Sequence, residues 1–296
     1  MIRSPVAIVR PVPLSIGQCE VTHIEREPID PDRARAQHEA YVAALKKAGL
    51  EVVELQGDEG HPDSVFVEDV LIDLGDVRVL TSPGAESRYP EREAIREAFA
   101  PGGPLQSWGP LVEMPEDLRL DGGDVLRVRD VVFVGVSSRT DLPAIQWLDK
   151  NTRADLIPVE VKGALHLKTA VSPLTENVLI VNPDAVDPAA FGFIDVLRVA
   201  EGEERASNVL RLPPRMDRCT SDDRDERILM PAGCPKTLGA IRRWGVQVTE
   251  VDIDELEKAE AGLTCMSVLL GASFELDLDA LPRHRGAESS GGGEAR

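Results

Sequence analysis

The sequence predicts a single-domain α/β protein, and three observations lead to this fold class. The chain has 296 residues, 42% hydrophobic and 29% charged, so it can bury a large core. Stretches with helical periodicity are followed by short apolar or alternating strands, and this pairing recurs five times. No linker divides the chain, so we expect one domain over residues 1–282 and a disordered polar tail over 283–296.

Each of the five units begins with a helix and ends with a strand. The helices are predicted over 32–47, 91–100, 142–150, 183–191 and 234–244, and the final strands begin near residues 51, 110, 156, 194 and 246. Pro158 lies in the third final strand and indicates an edge position or a bulge there.

Further strands are predicted between these units, over 65–74 with 77–81, 125–128 with 131–136, 178–181, and 209–212 with 228–230. The recurrence fits a propeller of repeated units or a doubly wound sheet, and periodicity leaves both open.

The charge balance narrows the classes of partner. The chain carries 33 Lys and Arg against 52 Asp and Glu, a net charge of −19. This opposes the phosphate neutralisation that nucleic-acid binding requires, so neither nucleic acid nor an anionic membrane is expected. The negative field would instead attract a small cationic molecule, although acidity is also common in proteins that need it only for solubility. The start has no long apolar segment, and no apolar run reaches membrane-spanning length, so we expect a cytoplasmic protein.

The cysteines and glycines exclude several cofactor sites. The four cysteines contain no C-x-x-C pair, so reduced thiols are expected rather than a zinc site or a disulfide scaffold. No glycine-rich phosphate-binding motif is present, so a nucleotide cofactor has no support.

Four local clusters could carry chemistry, and each has a plainer structural interpretation. Acids in 63–69 could simply face water, and Asp-Gly-Gly-Asp in 121–124 is compatible with a turn. His166 could be a hydrogen-bonded core residue, and Cys265 a buried structural cysteine. A thiolate beside a histidine that an acid orients would instead be a nucleophile.

The four clusters together resemble a known family. The phrases F-V-E-D (66–69), L-D-G-G-D-V-L (120–126), G-A-L-H-L-K-T (163–169) and L-T-C-M-S-V-L (263–269) occur in the order seen in the dimethylarginine dimethylaminohydrolases of the guanidine-modifying, or pentein, superfamily. The resemblance extends from about residue 13 to residue 270. It implies a five-bladed pseudosymmetric α/β propeller of ββαβ-like units, in agreement with the five units above.

The resemblance also implies roles for individual residues. Cys265 matches the nucleophile, His166 the general acid and base, and Asp121 the acid that orients the histidine, with Asp124 as the alternative. Six further positions match substrate-binding residues: Asp63, Glu68, Asp69, Arg88, Arg139 and, through its backbone on a flexible flap, Val21. The two arginines match those that hold the substrate carboxylate, for which the guanidinium fork is suited.

The implied activity is hydrolysis of Nω-methylated arginines, such as asymmetric dimethylarginine, to citrulline and an alkylamine through a covalent cysteine thiouronium. It needs neither metal nor organic cofactor. The expected partner is a small cationic guanidino amino acid, with a homodimer as a candidate assembly. Arginine deiminase-like activity, or hydrolysis of another guanidino or ureido compound, is the alternative, although deiminases carry an acid where this chain has Lys168. A non-catalytic pentein binding protein and a metal-dependent hydrolase are more remote alternatives.

Overall fold

Five three-stranded sheets form the framework and confirm the α/β propeller. The computed structural model describes residues 4–214 and 226–271. The predicted tail over 283–296 and Cys219 lie outside the described residues.

Fifteen strands are found in the described residues: β1 (Val6–Val9), β2 (Glu51–Glu54), β3 (Leu71–Asp73), β4 (Arg78–Leu80), β5 (Leu111–Glu113), β6 (Val125–Val128), β7 (Val131–Val136), β8 (Asp155–Glu160), β9 (Val171–Pro173), β10 (Val178–Val181), β11 (Asp195–Arg198), β12 (Leu210–Leu212), β13 (Arg227–Pro231), β14 (Gln247–Val251) and β15 (Val268–Leu270). The α-helices there are α1 (Pro31–Lys47), α2 (Arg92–Phe99), α3 (Leu142–Asn151), α4 (Leu167–Ala170), α5 (Pro235–Arg242) and α6 (Asp254–Glu257).

Every sheet repeats one pairing pattern. The orders are β15-β1-β2, β3-β4-β5, β6-β7-β8, β11-β10-β9 and β12-β13-β14, and each middle strand has one antiparallel and one parallel neighbour. The parallel pair needs a crossover, which is α1, α2, α3 or α5, or in one unit the 3-10 helix Pro188–Phe191. β15 pairs with β1, with Leu270 opposite Val6, so the two ends of the described chain close the ring.

The outer strand that pairs antiparallel in each sheet faces a common centre. Leu71 of β3, Val125 of β6, Pro173 of β9, Leu210 of β12 and Val268 of β15 all line one cavity of about 340 Å³. The five sheets therefore surround a central channel.

Apolar contacts hold each crossover helix on its sheet. Tyr41 of α1, Ile95 of α2, Leu148 of α3 and Ile241 of α5 are fully buried, each in a cluster with strand residues. Burial of one such side chain contributes about 1.5–3 kcal/mol. None of the described helices is long and apolar enough to cross a membrane.

The helix and strand predictions were correct for most elements and wrong at three places. Residues 67–69 form a 3-10 helix, so the strand predicted from Val65 begins only at Leu71. The strand-like stretch 163–169 ends in the one-turn helix α4, and the helix predicted over 183–191 is only the 3-10 turn 188–191. The first two segments are short apolar runs that are mostly buried or half-buried. The spacing of apolar residues in such a run cannot distinguish a helical turn from a strand. The edge position predicted from Pro158 is confirmed in β8.

Candidate active site

A small cavity brings together most of the predicted site residues. Its volume is about 20 Å³, which is room for about one water molecule. Seven of the nine predicted residues line it: Asp63, Asp69, Arg88, Asp121, Arg139, His166 and Cys265.

Cys265 lies in a 3-10 turn, Thr264–Met266, immediately before β15. The side chain is buried, and its Sγ accepts a hydrogen bond from the Gly262 N–H at 3.4 Å. Burial, with the nearby charges of Glu68 and Asp69, raises the pKa of the Cys265 thiol to about 12. In this structure the Cys265 sulfur is therefore a thiol at neutral pH.

His166 stands at the N-cap position of α4, without a capping hydrogen bond from its side chain, and is also buried. Its Nε2 lies 2.9 Å from Oδ2 of Asp121, and its Nδ1 lies 3.8 Å from Oδ1 of Asp69. Burial alone would lower the pKa of His166, but the Asp69 charge and the Asp121 hydrogen bond outweigh it and raise the pKa to about 9. The imidazole is therefore protonated at neutral pH.

The two aspartates that could orient His166 have different partners. Asp121 contacts the ring, and its other oxygen accepts the Gly84 N–H at 2.7 Å. Asp124 accepts the Leu167 N–H at 2.8 Å and the Ser137 hydroxyl at 2.6 Å, and burial raises its pKa to about 6. Asp124 thus fixes the backbone beside the histidine, whereas Asp121 has the hydrogen bond to the ring.

The Gly-Gly pair between these aspartates is needed for close packing. A Cβ at Gly123 would lie 2.5 Å from Nδ1 of His166 and 2.9 Å from Oδ1 of Asp69. A Cβ at Gly122 would lie 2.0 Å from the Glu68 carbonyl oxygen. The sequence analysis explained the two glycines by a turn. It did not predict the close packing, because the residues that crowd the glycines are distant in the chain.

Asp63 and Asp69 are buried but already have protein partners. Both carboxylate oxygens of Asp63 accept the Glu20 N–H, at 3.1 and 3.2 Å. Asp69 accepts the Gly123 N–H and pairs with Nη1 of Arg88 at 2.5 Å. Burial would raise the pKa of Asp69, but the charges of His166 and Arg88 hold it below its usual value.

The two predicted carboxylate-binding arginines differ in their remaining hydrogen-bonding capacity. Arg88 donates to Asp69, to both oxygens of Glu91 and to the carbonyls of Asp63 and Phe66. Those contacts use all but one of its five N–H groups, so it has no second N–H with which to form a fork. Arg139 has one side-chain hydrogen bond within the described residues, from Nη2 to the Thr22 hydroxyl at 3.0 Å.

Glu68 lies outside this cavity, unlike Asp63 and Asp69, the other two acids predicted to bind substrate. Its carboxylate accepts the Lys168 ammonium at 2.5 Å and the Thr264 hydroxyl at 2.8 Å, and all three line the central channel instead. Burial outweighs the Lys168 charge and raises the pKa of Glu68.

Val21 lies in a segment over the cavity, residues 19–25, which we call the flap. Val21 is half-buried against the apolar cluster that contains Cys265. The carboxylate of Glu260 binds the backbone of the next two flap residues. Sequence reasoning missed Glu260, and its position five residues before Cys265 is the one signal that could have indicated it.

Three of these residues could geometrically hold a metal ion. Ligand atoms of Asp69, Asp121 and His166 lie within 4.8 Å of one another. Their other contacts oppose it, because Asp69 is paired with Arg88 and His166 holds a proton that metal binding would have to displace.

Comparisons with known proteins identify relatives over most of the chain. Residues 20–192 match a family model described as N,N dimethylarginine dimethylhydrolase, eukaryotic. The N(G),N(G)-dimethylarginine dimethylaminohydrolase of Streptomyces coelicolor is 36% identical over 274 residues, covering 91% of this chain and 98% of the relative.

Solved structures are similar over nearly the whole chain. A Cys-to-Ser variant of the Pseudomonas aeruginosa enzyme of the same name, complexed with citrulline, has a TM-score of 0.78 at 30% identity, covering 89% of this chain and 98% of its own. The N-terminal domain of ArgZ, a cyanobacterial arginine dihydrolase bound to product, has a TM-score of 0.79 at 19% identity and supports the fold alone, covering 90% of this chain and 98% of its own.

Proposed function

Because the chain belongs to the dimethylarginine dimethylaminohydrolase family and is an amidine hydrolase of that type, we propose that it hydrolyses Nω-methylated arginines to citrulline and dimethylamine or methylamine. The observation that carries this proposal is the convergence of Cys265 with the His166–Asp121 pair in one acidic cavity. A thiol, a histidine and an orienting acid are the groups that covalent hydrolysis needs.

The charges around the cavity favour a cationic amino acid. Five carboxylates line it, whereas its cationic side chains are two arginines and the protonated histidine: Glu20, Asp63, Asp69, Asp121 and Glu260 against Arg88, Arg139 and His166. A methylated arginine carries a guanidinium, an ammonium and a carboxylate. Carboxylates would bind the two cationic groups, and Arg139 has the donors for the substrate carboxylate.

The first chemical step forms the covalent intermediate. Cation binding favours loss of the Cys265 proton to solvent, and the thiolate attacks the guanidinium carbon. The bond from that carbon to the alkylated nitrogen breaks, and His166 gives its proton to the departing amine. The product is a thiouronium on Cys265, with a neutral imidazole that Asp121 holds in position.

The second step returns both groups to their starting state. A water molecule gives a proton to His166 and adds its oxygen to the thiouronium carbon. The carbon–sulfur bond then breaks and the proton of the added hydroxyl passes to the departing sulfur, which leaves citrulline and the Cys265 thiol. In the overall reaction, the oxygen of one water molecule replaces one alkylamine on the guanidinium carbon. The reaction as written needs neither an oxidant nor a metal.

The resting protonation states explain how the thiol stays unreactive without substrate. The pKa of Cys265 is raised to about 12 and that of His166 to about 9, so at neutral pH both groups carry protons. A bound guanidinium near Asp69 would offset the negative charges that raise the thiol pKa. Substrate binding is therefore coupled to formation of the nucleophile.

The proposal is tested by measuring citrulline formation from asymmetric dimethylarginine, monomethylarginine and arginine in parallel. We expect turnover of the methylated compounds by the wild type and loss of at least 1000-fold in Cys265→Ser, because a serine hydroxyl is far less acidic. Cys234→Ser is the matched control, since Cys234 is a buried cysteine outside the cavity. Faster turnover of arginine would assign the protein to the deiminases instead.

A further inference from the structure

We infer that Glu260 is a positioning residue that holds the flap (residues 19–25) closed over the bound substrate. The carboxylate spans two successive backbone amides of the flap: Oε2 accepts the Thr22 N–H at 2.5 Å, and Oε1 accepts the His23 N–H at 2.6 Å. Hydrogen bonds to an ionised carboxylate are among the strong ones in proteins. Because 237 and 238 residues separate the partners along the chain, these bonds tie the flap to the loop before Cys265.

Among the described residues, three other hydrogen bonds join the same flap to side chains distant in the sequence. The Glu20 N–H binds Asp63, the Thr22 hydroxyl accepts from Arg139, and the Glu20 carboxylate accepts from the Ser87 hydroxyl at 2.6 Å. In the first two bonds the partner side chains are Asp63 and Arg139, which bind the substrate in the proposed function.

Glu260 differs from those two side chains. When substrate occupies Asp63 and Arg139, their bonds to the flap are weakened or given up, whereas Glu260 can keep both of its amides. This step rests on the proposed function. It follows that Glu260 is the main closure contact in the substrate complex.

The backbone of Glu260 supports a specific role. Its φ is +56°, and among the described residues Arg129 is the other non-glycine with positive φ. Residues other than Gly, Asn and Asp rarely adopt this left-handed region, and when they do, the strain often accompanies a functional constraint. Here the conformation directs a long carboxylate toward the flap, which Gly or Asn at the same position could not do.

Glu260 also lies between the active-site cavity and a larger one. A second cavity, of about 280 Å³, lies beside the flap and is lined by His23 and Ile24. It shares Leu165, Glu260 and Ala261 with the active-site cavity. The active-site cavity has room for about one water, so residues around it must move to admit an amino acid. Release of the two flap amides from Glu260 would widen the cavity on the side that it shares with the larger one.

Hydrogen–deuterium exchange of the full chain tests the contact directly. We compare the wild type with Glu260→Gln, Glu260→Gly and the matched control Glu250→Gln, which removes one charge from the exposed face of β14. We expect the Thr22 and His23 amides to exchange at least tenfold faster in the Gly variant, less so in the Gln variant, and unchanged in the control. Exchange within β15 should be the same in all four proteins, and the Gly variant, which relieves the strained backbone, should keep its Tm.

Steady-state kinetics then separates positioning from chemistry. We expect KM for the methylated arginine to rise at least tenfold in Glu260→Gly, with kcat within threefold of the wild type, because the reacting groups are untouched. Unchanged exchange at Thr22 and His23 in both variants overturns the inference. So does a loss of kcat at unchanged KM. If no substrate is turned over by the wild type, the exchange experiment still decides the role of Glu260, whereas the proposed function fails.

Discussion

Replacing Gly123 by alanine should abolish most activity while leaving the propeller folded. The added methyl would lie 2.5 Å from Nδ1 and 2.7 Å from Cγ of His166, and 2.9 Å from Oδ1 of Asp69. Ordinary non-bonded contacts between heavy atoms are about 3.5–4.0 Å. The imidazole must therefore move by about 1 Å, away from the position in which Nε2 lies 2.9 Å from Asp121.

The magnitude follows from this displacement. A misplacement of about 1 Å in a catalytic group costs about 100-fold in rate. Because His166 acts in both chemical steps of the proposed mechanism, we expect kcat to fall by about 100-fold or more. The overpacking also costs about 1–3 kcal/mol of unfolding free energy, which a domain of this size tolerates.

The assay is citrulline formation from asymmetric dimethylarginine, with urea unfolding measured in parallel. Gly239→Ala is the matched control, because a Cβ at Gly239 meets no atom within 4 Å and the residue lies in α5. That control should keep wild-type kcat and gain up to about 1 kcal/mol of stability. A folded Gly123→Ala variant with wild-type kcat would refute the reasoning, since it would mean that the His166 position is not critical.

Three further predictions follow from the geometry. Alkylation of Cys265 by iodoacetamide in the substrate-free protein should keep accelerating well above pH 9, because the thiol pKa is raised to about 12; a plateau near pH 8.5 would contradict this assignment. Lys168→Met should lower the unfolding free energy by about 3–5 kcal/mol in urea titrations, because the buried Glu68 carboxylate loses its partner, whereas exposed Lys150→Met should change it little. Exhaustive treatment with a chelator should leave citrulline formation unchanged, and a loss restored by added metal would support a metal site at Asp69, Asp121 and His166 instead.

Local patterns in the sequence were sufficient to predict the repeated units. The apolar spacing of α1 and the stop at Gly49 are visible in a short stretch of sequence, as are the strands β6 and β7. Periodicity could not choose between a propeller and a doubly wound sheet, because that choice depends on pairing between distant strands. The pairing of β15 with β1, which closes the ring, has no local signal.

The site shows the same division between local and distant information. The four motifs selected Cys265, His166 and Asp121 as candidates, but which neighbour each group contacts depends on the assembled ring. Glu68 stands next to Asp69 in sequence within the 3-10 turn Val67–Asp69, yet the two residues line different cavities. Which cavity each acid faces depends on partners distant in the chain, Lys168 for Glu68 and Arg88 for Asp69.

Closure of the flap and ionisation of the Cys265 thiol are linked in the proposed mechanism. Excluding water from the cavity strengthens the interaction between a bound guanidinium and the carboxylates around it. Burial raises the pKa of the Cys265 thiol. In the proposed mechanism, flap closure over an empty site therefore suppresses ionisation of Cys265, and the charge of a bound guanidinium, rather than closure itself, offsets that effect. A variant that leaves the flap open, such as Glu260→Gly, should accordingly lower the pKa of Cys265 in the substrate-free protein, because water reaches the thiol. Faster alkylation of Glu260→Gly than of the wild type at pH 8, without substrate, is the expected result, and equal rates would show that the flap does not control solvation of the sulfur.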